Sequence, residues 1–244
     1  MTNQTVLRDT PTAIKTNSFA LAGHIFVSWN TKADGTGTTY GDGQTVTNLA
    51  STGNTITLYA VWVQGALLDT GINVNQKLKR LAGNSSAIYS TQDTAITAIV
   101  RSNSLPNGFT PATENTISDY TSPSPIYAWY DSSNTTIYYY SEATNILMNK
   151  GSSSFFQNMR ALSNLSTISS WNTSKVTNMS FMFLNAGYNA TTFTLDLSSW
   201  NTSSVTDMGY MFYGAGYSAT SWSIGDLSSW NTSSVTNIDR KSVV

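Results

Sequence analysis

A repeated motif in the C-terminal third of the chain constrains its fold more than any other feature. The string SSWNTS surrounds Trp171, Trp200 and Trp230, at spacings of 29 and 30 residues. Phe183 and Phe212 occupy matching places after the first two tryptophans. A unit this short cannot bury its own apolar side chains, so its copies must stack on one another. The sequence therefore predicts a right-handed solenoid of parallel repeats.

The apolar pattern changes within each repeat. Phe193, Leu195 and Leu197 alternate, which predicts a short strand. Apolar residues then recur at helical spacing and predict a short helix over residues 205–212, which the preceding polar residues 201–203 can cap. Gly225 is the extra residue of the longer spacing, and a glycine inserted in a strand predicts a bulge. The apolar positions of the predicted helix are Val205, Met208, Met211 and Phe212.

Both ends of the repeat array differ from its middle. The segment SSSFFQNMRALSNLSTI resembles a degenerate first copy, with Phe156 in the place of Phe183, and we expect it to cap the stack. The last copy follows its predecessors only to Asn237, where Ile238 replaces the expected methionine. Residues 239–244 match the translation of a common short-read sequencing adapter, so we interpret them as an artefact. The sequence thus predicts a truncated array whose open end favours self-association.

The residues before the repeats divide into two further regions. Residues 64–150 are not repetitive, and they predict a helix plus a hairpin that cap the repeats. Val74, Leu78 and Leu81 mark the buried face of this helix, with a capping box at Asn73 and Gln76 and a stop at Gly83. Two aromatic runs around residues 131–134 predict the hairpin. Residues 1–63 predict two strands, 25–28 and 55–63, around a glycine-rich excursion.

Composition excludes several classes of function. Only 10% of residues are charged and the net charge is -1, so no basic field exists to attract nucleic acid or an anionic membrane. The chain has no cysteine and one histidine, His24, which excludes thiol chemistry and a multi-histidine zinc site. No apolar run reaches the roughly 18 residues of a membrane span. The 13 acidic residues are scattered, so we expect no enzyme, no metal and no cofactor.

The N-terminal region resembles the Listeria-Bacteroides repeat, a β-grasp-like module related to the internalin B-repeat. His24 and Ser28 depart from the family pattern, which usually has Tyr and Gly there. Members begin with a strand that this chain lacks, so the resemblance implies that Met1 is an internal methionine and that the module has an unpaired edge. The matching residues are Gly23, Phe26, Trp29, Asn30, Tyr40, Leu58, Tyr59 and Trp62.

Residues 66–238 resemble BspA-type leucine-rich-repeat surface proteins of bacteria. The motifs that carry this resemblance are KLKRLAGN, ITAIVRS, PIYAWYD, TIYYYSEA and LSSWNTSSVTDMGYMF. Together the two resemblances imply an α+β fold, with a β-grasp-like module at residues 1–63, a capping region at 64–150 and leucine-rich-like repeats at 151–238. They also imply an extracellular or cell-surface location, with a signal peptide and an anchor in missing flanks.

Several residues could belong to a site, and each has a structural alternative. Trp171, Trp200 and Trp230 could form a ladder of rings that stacks on sugars, although repeated residues usually pack between repeats. Asp34 and Asp42 lie among glycines and resemble a calcium loop, but turns explain them equally. His24 could be a general base, but no nucleophile or orienting acid is near it in sequence, which favours packing.

Two clusters complete the candidates. Lys77, Lys79 and Arg80 form a basic group that the negative end of the helix explains without a ligand. The tyrosines between Tyr127 and Tyr140 could form an exposed binding face or the buried half of a hairpin. The sequence therefore favours an adhesin that contacts proteins on host or bacterial surfaces; the alternative is a glycan-binding module or a purely structural stalk.

Overall fold

A computed structural model describes residues 4, 9–21, 24–50 and 54–238 of the chain. It divides the chain into two units, residues 1–65 and 66–244, where the sequence placed the first boundary after residue 63. Gly23 and the adapter-like tail at residues 239–244 lie outside the described residues. In the described part of the chain, no helix is long and apolar enough to cross a membrane.

The first unit contains a three-stranded antiparallel sheet in the order β3-β2-β5. Strands β1 and β4 form a separate, short antiparallel pair. A bulge at Val27 shifts the register between β2 and β5, so that Phe26 and Trp29 are both buried. These rings pack with Ile14 and Val46 in one small core. The strands are β1 (Thr12–Ala13), β2 (His24–Asn30), β3 (Thr39–Tyr40), β4 (Thr45–Val46) and β5 (Tyr59–Gln64).

Both strands predicted for this unit exist, but their ends differ from the prediction. The predicted strand 25–28 lies inside β2, which extends to Asn30. The predicted strand 55–63 begins only at Tyr59, because Tyr59 pairs with Asn30 and β2 ends there. Residues 54–58 therefore have no strand of that sheet opposite them.

The second unit begins with the predicted helix, α1 (Gly71–Leu81). Val74 and Leu78 are buried on its inner face, and Leu81 is half-buried. Gly83 ends the helix at a φ of 101°, where its N–H and that of Asn84 donate to carbonyls of the last turn. The predicted capping box is wrong, because α1 begins two residues before Asn73 and the Asn73 side chain donates to Asp69 instead.

The predicted hairpin is also present, and it carries a third strand. The antiparallel strands of the hairpin, β8 and β9, turn at residues 132–135, and β7 pairs with β9 in parallel to give the order β7-β9-β8. A short parallel pair of β6 with β10 precedes the repeats. The strands are β6 (Ala66–Leu67), β7 (Ala98–Arg101), β8 (Tyr127–Asp131), β9 (Thr136–Tyr140) and β10 (Ile146–Leu147).

The repeats lie side by side with their equivalent residues aligned. Strands β11 (Thr192–Thr194) and β12 (Ser221–Ser223) pair in parallel, and isolated parallel bridges join Asn178 to Asp207 and Asp207 to Asn237. The strand predicted over 193–197 is thus shorter than expected. Gly225, the inserted residue, lies just beyond β12 with a φ of 82°.

The helix predicted over residues 205–212 is wrong, and the hydrogen bonds show why. Backbone N–H groups alternate here between two kinds of acceptor. Those of Met179, Phe181 and Phe183 donate to the next repeat, at Asp207, Gly209 and Met211. Those of Met182 and Met211 donate only three residues back, to Met179 and Met208, rather than four residues back as in an α-helix. Tyr210 also has a φ of 54°, which a right-handed helix cannot contain. Helical spacing here reflects turns that bring every third or fourth side chain inward.

One hydrophobic core runs through the whole second unit, from Ala66 to Ala215. At its centre the rings of Phe156, Phe183 and Phe212 form a continuous stack, with centroid distances of 5.1 and 5.3 Å. Phe156 therefore takes the place predicted for it in a first repeat. Because residues 66–150 contribute to the same core, the helix and the hairpin pack in one body with the repeats.

Candidate functional site

The three repeated tryptophans, the foremost candidates from the sequence, lie in or against the core. Trp171 is 4% exposed and Trp200 is 2% exposed, while Trp230 in the last repeat is half-buried. The indole N–H of Trp200 donates to the Ile168 carbonyl at 3.1 Å, and that of Trp230 to Leu197 at 3.0 Å. At Trp171 the acceptor is the Tyr139 hydroxyl, at 2.9 Å. Trp171 and Trp200 present no open ring face to a sugar.

Of the two aspartates of the glycine-rich excursion, Asp34 closes a turn and Asp42 accepts from distant segments of the first unit. The Asp34 carboxylate accepts hydrogen bonds from the Thr36 N–H and hydroxyl, which lower the pKa of Asp34. Asp42 accepts from the Asn17 N–H at 2.7 Å and from the Trp29 indole at 3.3 Å. Within the described residues, no three His, Cys, Asp or Glu side chains come together to hold a metal. His24 starts β2 opposite Gln64 and is half-buried.

The basic cluster of α1 contains an unexpected buried lysine. The Lys79 ammonium is fully buried and donates to three backbone carbonyls, those of Tyr89, Thr91 and Gln157, at 2.7–2.9 Å. Burial lowers the pKa of Lys79 to about 8, against the attraction of the Asp93 carboxylate. The helix-end interpretation is therefore wrong for Lys79, which ties α1 to the first repeat and to a neighbouring loop.

The tyrosine-rich hairpin is divided between the core and the surface. Tyr139 points into the core and is 1% exposed, and burial raises the pKa of its hydroxyl. On the opposite face Trp129 and Tyr138, paired across the strands, lie nearly parallel with ring centroids 5.9 Å apart. The buried alternative is thus confirmed for Tyr139, while Trp129 and Tyr138 on the other face are half-buried.

A second set of aromatic rings, which the sequence interpretation missed, stands on the surface of the repeats. The Phe181 and Tyr210 rings are stacked, 5.4 Å apart and 3° from parallel, and Tyr213 packs edge-on against Tyr210. A second stack joins Tyr188 to Tyr217, 4.7 Å apart and 8° from parallel. We call these five residues the aromatic ladder. Four of them are 38–72% exposed, and only Tyr188 is half-buried.

Backbone strain marks the positions of the first stack. Phe181 has a φ of 56° and Tyr210 a φ of 54°, a left-handed conformation that is a genuine outlier for bulky side chains. Ser154 occupies the same place in the first repeat with a φ of 60°. The hydrogen bonds between repeats hold this conformation in each copy, for example from the Phe181 N–H to Gly209. Such strain persists where surrounding structure enforces it, and it clusters at functional sites.

The chemistry of the ladder is that of a binding surface. Tyrosine rings offer large flat areas with a hydroxyl at the edge, and they lose little conformational entropy on binding. The Arg160 guanidinium lies 3.9 Å from the centre of the Tyr188 ring and holds it by a cation–π contact. The ladder contains no carboxylate, thiol or imidazole, the side chains on which acid–base or nucleophilic catalysis usually depends.

A simple sequence signal could have revealed the ladder. An aromatic residue precedes the Met-Phe pair in both complete repeats, as Phe181 in SFMF and Tyr210 in GYMF, and a tyrosine follows the Ala-Gly pair in both, as Tyr188 and Tyr217. The helical interpretation of this segment used only the apolar residues that face inward and did not consider the aromatic residues between them. The structure shows that the intervening rings point outward in register.

Part of the chain matches a known family model. Residues 150–241 match a family model described as "Mycoplasma protein of unknown function, DUF285". The matched segment is less than half of the chain and contains the whole aromatic ladder. No curated protein and no solved structure matches the chain significantly.

Proposed function

We propose that this chain is part of a bacterial cell-surface or secreted repeat protein that mediates adhesion through protein–protein contacts with host cells or other bacteria. In this proposal residues 66–238 form a BspA-type, leucine-rich-repeat-like solenoid, and residues 1–63 form a Listeria-Bacteroides repeat that acts as a spacer. The protein is not an enzyme, and it acts outside the cell.

The aromatic ladder is the observation that carries this proposal. Four of its five rings are exposed, the rings are ordered by packing on one another, and Phe181 and Tyr210 are held in a strained backbone conformation. A chain selected only for stability would favour glycine at such positions. Tyrosine is also enriched in protein interfaces relative to the rest of the surface.

Repetition explains how such a surface could adhere. The two complete repeats carry rings at the same places, Phe181 with Tyr210 and Tyr188 with Tyr217, whereas the first repeat has Ser154 in place of Phe181. A single contact of this kind is weak, but many copies on a cell surface bind together with a much greater effective affinity. The low charge of the chain, 10% of residues, fits contacts that depend on shape and aromatic area rather than on salt bridges.

A structural stalk is the second candidate, and one observation favours it. The core is continuous from Ala66 to Ala215, and the central ring stack passes from repeat to repeat without a gap. A stack of repeats with a continuous core can present another binding domain. It gives no reason, however, for exposed rings at strained positions.

Adhesion of coated beads tests the proposal. Beads that carry the full chain should attach to cultured epithelial cells or to bacterial cells, and the triple variant Phe181→Ser, Tyr210→Ser, Tyr217→Ser should lose roughly tenfold or more of this attachment. Tyr120→Ser is the matched control, since Tyr120 is 97% exposed outside the repeats. Equal attachment of the triple variant, or attachment of the wild type no better than albumin-coated beads, would contradict the proposal.

A further inference from the structure

Two adjoining surface depressions, wide open to solvent and called cavities below, lie beside the hairpin, at residues distinct from the aromatic ladder. The first, about 220 Å³, is lined by Trp129, Asp131, Tyr138 and the segment 102–106. The second, about 310 Å³, is lined by Arg101, Asn103, Tyr140 and Glu142 together with neighbouring polar residues. Ser102 borders both cavities. Pockets for drug-sized ligands usually measure about 300–1,000 Å³, so each cavity suits a single small ring.

The first cavity has an aromatic wall with a fixed geometry. Trp129 and Tyr138 are direct partners across the strands, and their ring planes differ by 22°. Phe109 packs against Trp129, with ring centroids 5.7 Å apart, and supports it from the loop before β8. Trp129 and Tyr138 are half-buried, and the part of their rings that their mutual stack and Phe109 leave uncovered lines the cavity. Such an aromatic surface can accept the apolar C–H side of a sugar ring and leave its hydroxyl groups at the edge.

Polar groups stand at the edges where those hydroxyl groups would lie. One oxygen of the Asp131 carboxylate accepts from the Ser133 hydroxyl at 2.7 Å and from its N–H at 3.0 Å, and these bonds lower the pKa of Asp131. Asp131 therefore stays ionised and can accept from further hydroxyl donors. In the second cavity the Glu142 carboxylate accepts from the Tyr140 hydroxyl at 2.9 Å, and Asn103 supplies an amide.

The charges of the two cavities argue against an anionic ligand. Arg101 is the one cationic side chain that borders them, and its guanidinium already donates to the carbonyls of Ser141, Ala143 and Thr144. It therefore lacks the free fork that binds carboxylate or phosphate. Asp131 and Glu142 repel anions instead. The occupant that fits is neutral, rich in hydroxyl groups and flat on one side.

We propose that these cavities bind a neutral disaccharide, or two neighbouring units of a neutral oligosaccharide, with one ring against Trp129 and the next beside Tyr140. Asp131 and Glu142 accept hydrogen bonds from its hydroxyl groups. This site does not depend on the adhesion proposed for the aromatic ladder, because the two sites share no residue.

Saturation-transfer NMR on the full chain tests this site with lactose, maltose and diacetylchitobiose as neutral probes and sialyllactose as the charged counterpart of lactose. At least one neutral disaccharide should bind at millimolar concentration. If that probe is lactose, sialyllactose should bind several-fold more weakly. Both Trp129→Ala and Asp131→Asn should weaken binding of the neutral probe roughly tenfold, which corresponds to about 1.4 kcal/mol.

The variants are chosen so that loss of folding cannot imitate loss of the site. Asp131→Asn keeps an oxygen that can accept from Ser133, so its circular dichroism should equal that of the wild type. Tyr120→Ser should bind as the wild type does. If no neutral disaccharide of the panel binds, or if Asp131→Asn binds as tightly as the wild type, the proposal is wrong.

Discussion

Phe181 and Tyr210 lie one repeat apart, with rings 5.4 Å and 3° from parallel, and both have a left-handed backbone with φ near 55°. Their side chains are 38% and 43% exposed, so burial in the core does not explain their size. The pair thus combines a costly backbone with an outward ring. That combination is the structural basis of the adhesion proposal.

Glycine should relieve the strain at Tyr210. A left-handed conformation costs a residue with a Cβ atom about 1–2 kcal/mol, so Tyr210→Gly should have a free energy of unfolding about 1 kcal/mol above that of Tyr210→Ala. Urea denaturation of both variants measures the difference. At Tyr217, whose φ is not positive, the order should reverse by about 0.4–1 kcal/mol. An alanine variant at position 210 as stable as the glycine variant would show that the strain is absent.

Substitution of Trp200 should weaken the core more than substitution of Trp230. Both indoles donate to a carbonyl of the previous repeat, but Trp200 is 2% exposed and Trp230 is half-buried. Trp200→Ala should therefore lower the free energy of unfolding by about 3–5 kcal/mol, and Trp230→Ala by no more than about half as much. Equal losses in urea denaturation would place the two rings in equivalent environments, contrary to the structure.

Gly187 should tolerate no side chain. It has a φ of 61°, and a Cβ atom there would overlap the Phe193 ring and the Leu162 carbonyl. Gly187→Ala should therefore destabilise the protein by about 3 kcal/mol or more, from overpacking added to backbone strain. Gly83→Ala is the control, since its φ is also positive but no atom lies within 4 Å of the added Cβ. It should cost only about 1–2 kcal/mol, and equal losses would exclude the steric explanation.

The buried Lys79 should make stability rise with pH above about 8. Its pKa is about 8 in the folded protein and 10.5 in the unfolded chain, so between these values the unfolded state holds more protons. The free energy of unfolding should therefore increase from pH 8 to 10.5, by at most on the order of 3 kcal/mol. Below pH 8 both states are protonated and Lys79 adds no pH dependence.

Lys79→Met isolates this effect from other groups. Tyr139 has the opposite effect on stability above about pH 10. Because burial raises the pKa of its hydroxyl, the hydroxyl ionises first in the unfolded chain, and the free energy of unfolding then falls as the pH rises. The measured quantity is the wild-type free energy of unfolding minus that of Lys79→Met at each pH. If this difference in the free energy of unfolding does not change between pH 8 and 10, the three carbonyls keep the Lys79 ammonium protonated and the prediction is wrong.

Sequence patterns predicted the elements whose stability is local. Helix α1 shows its apolar face and its glycine stop directly in the sequence, and the hairpin shows two aromatic runs around a polar turn. The in-register place of Phe156 also follows from the repeat alone. For the helix and the hairpin, neighbouring residues contain the information that the prediction needs, and for Phe156 the alignment of the repeats supplies it.

The wrong predictions concern residues whose hydrogen-bond partners lie far away in the sequence. Residues 205–212 have helical apolar spacing, yet part of their backbone hydrogen bonds, such as those of Thr206 and Met208, run to neighbouring repeats, so spacing alone could not reveal the conformation. The same error hid the outward rings of Phe181 and Tyr210. In the sequence Lys79 resembles a surface cation at a helix end, because no neighbouring residue indicates that its ammonium donates to the carbonyl of Gln157.

Tyrosine modification on bound protein tests the adhesion account most directly. The full chain is nitrated free in solution and while attached to the cells, and the modified residues are counted by mass spectrometry. We expect Tyr210, Tyr213 and Tyr217 to be protected severalfold on attachment, while Tyr120, which is 97% exposed outside the repeats, reacts equally in both states. Attachment with all four tyrosines equally reactive in both states would show that the aromatic ladder is not the adhesive surface.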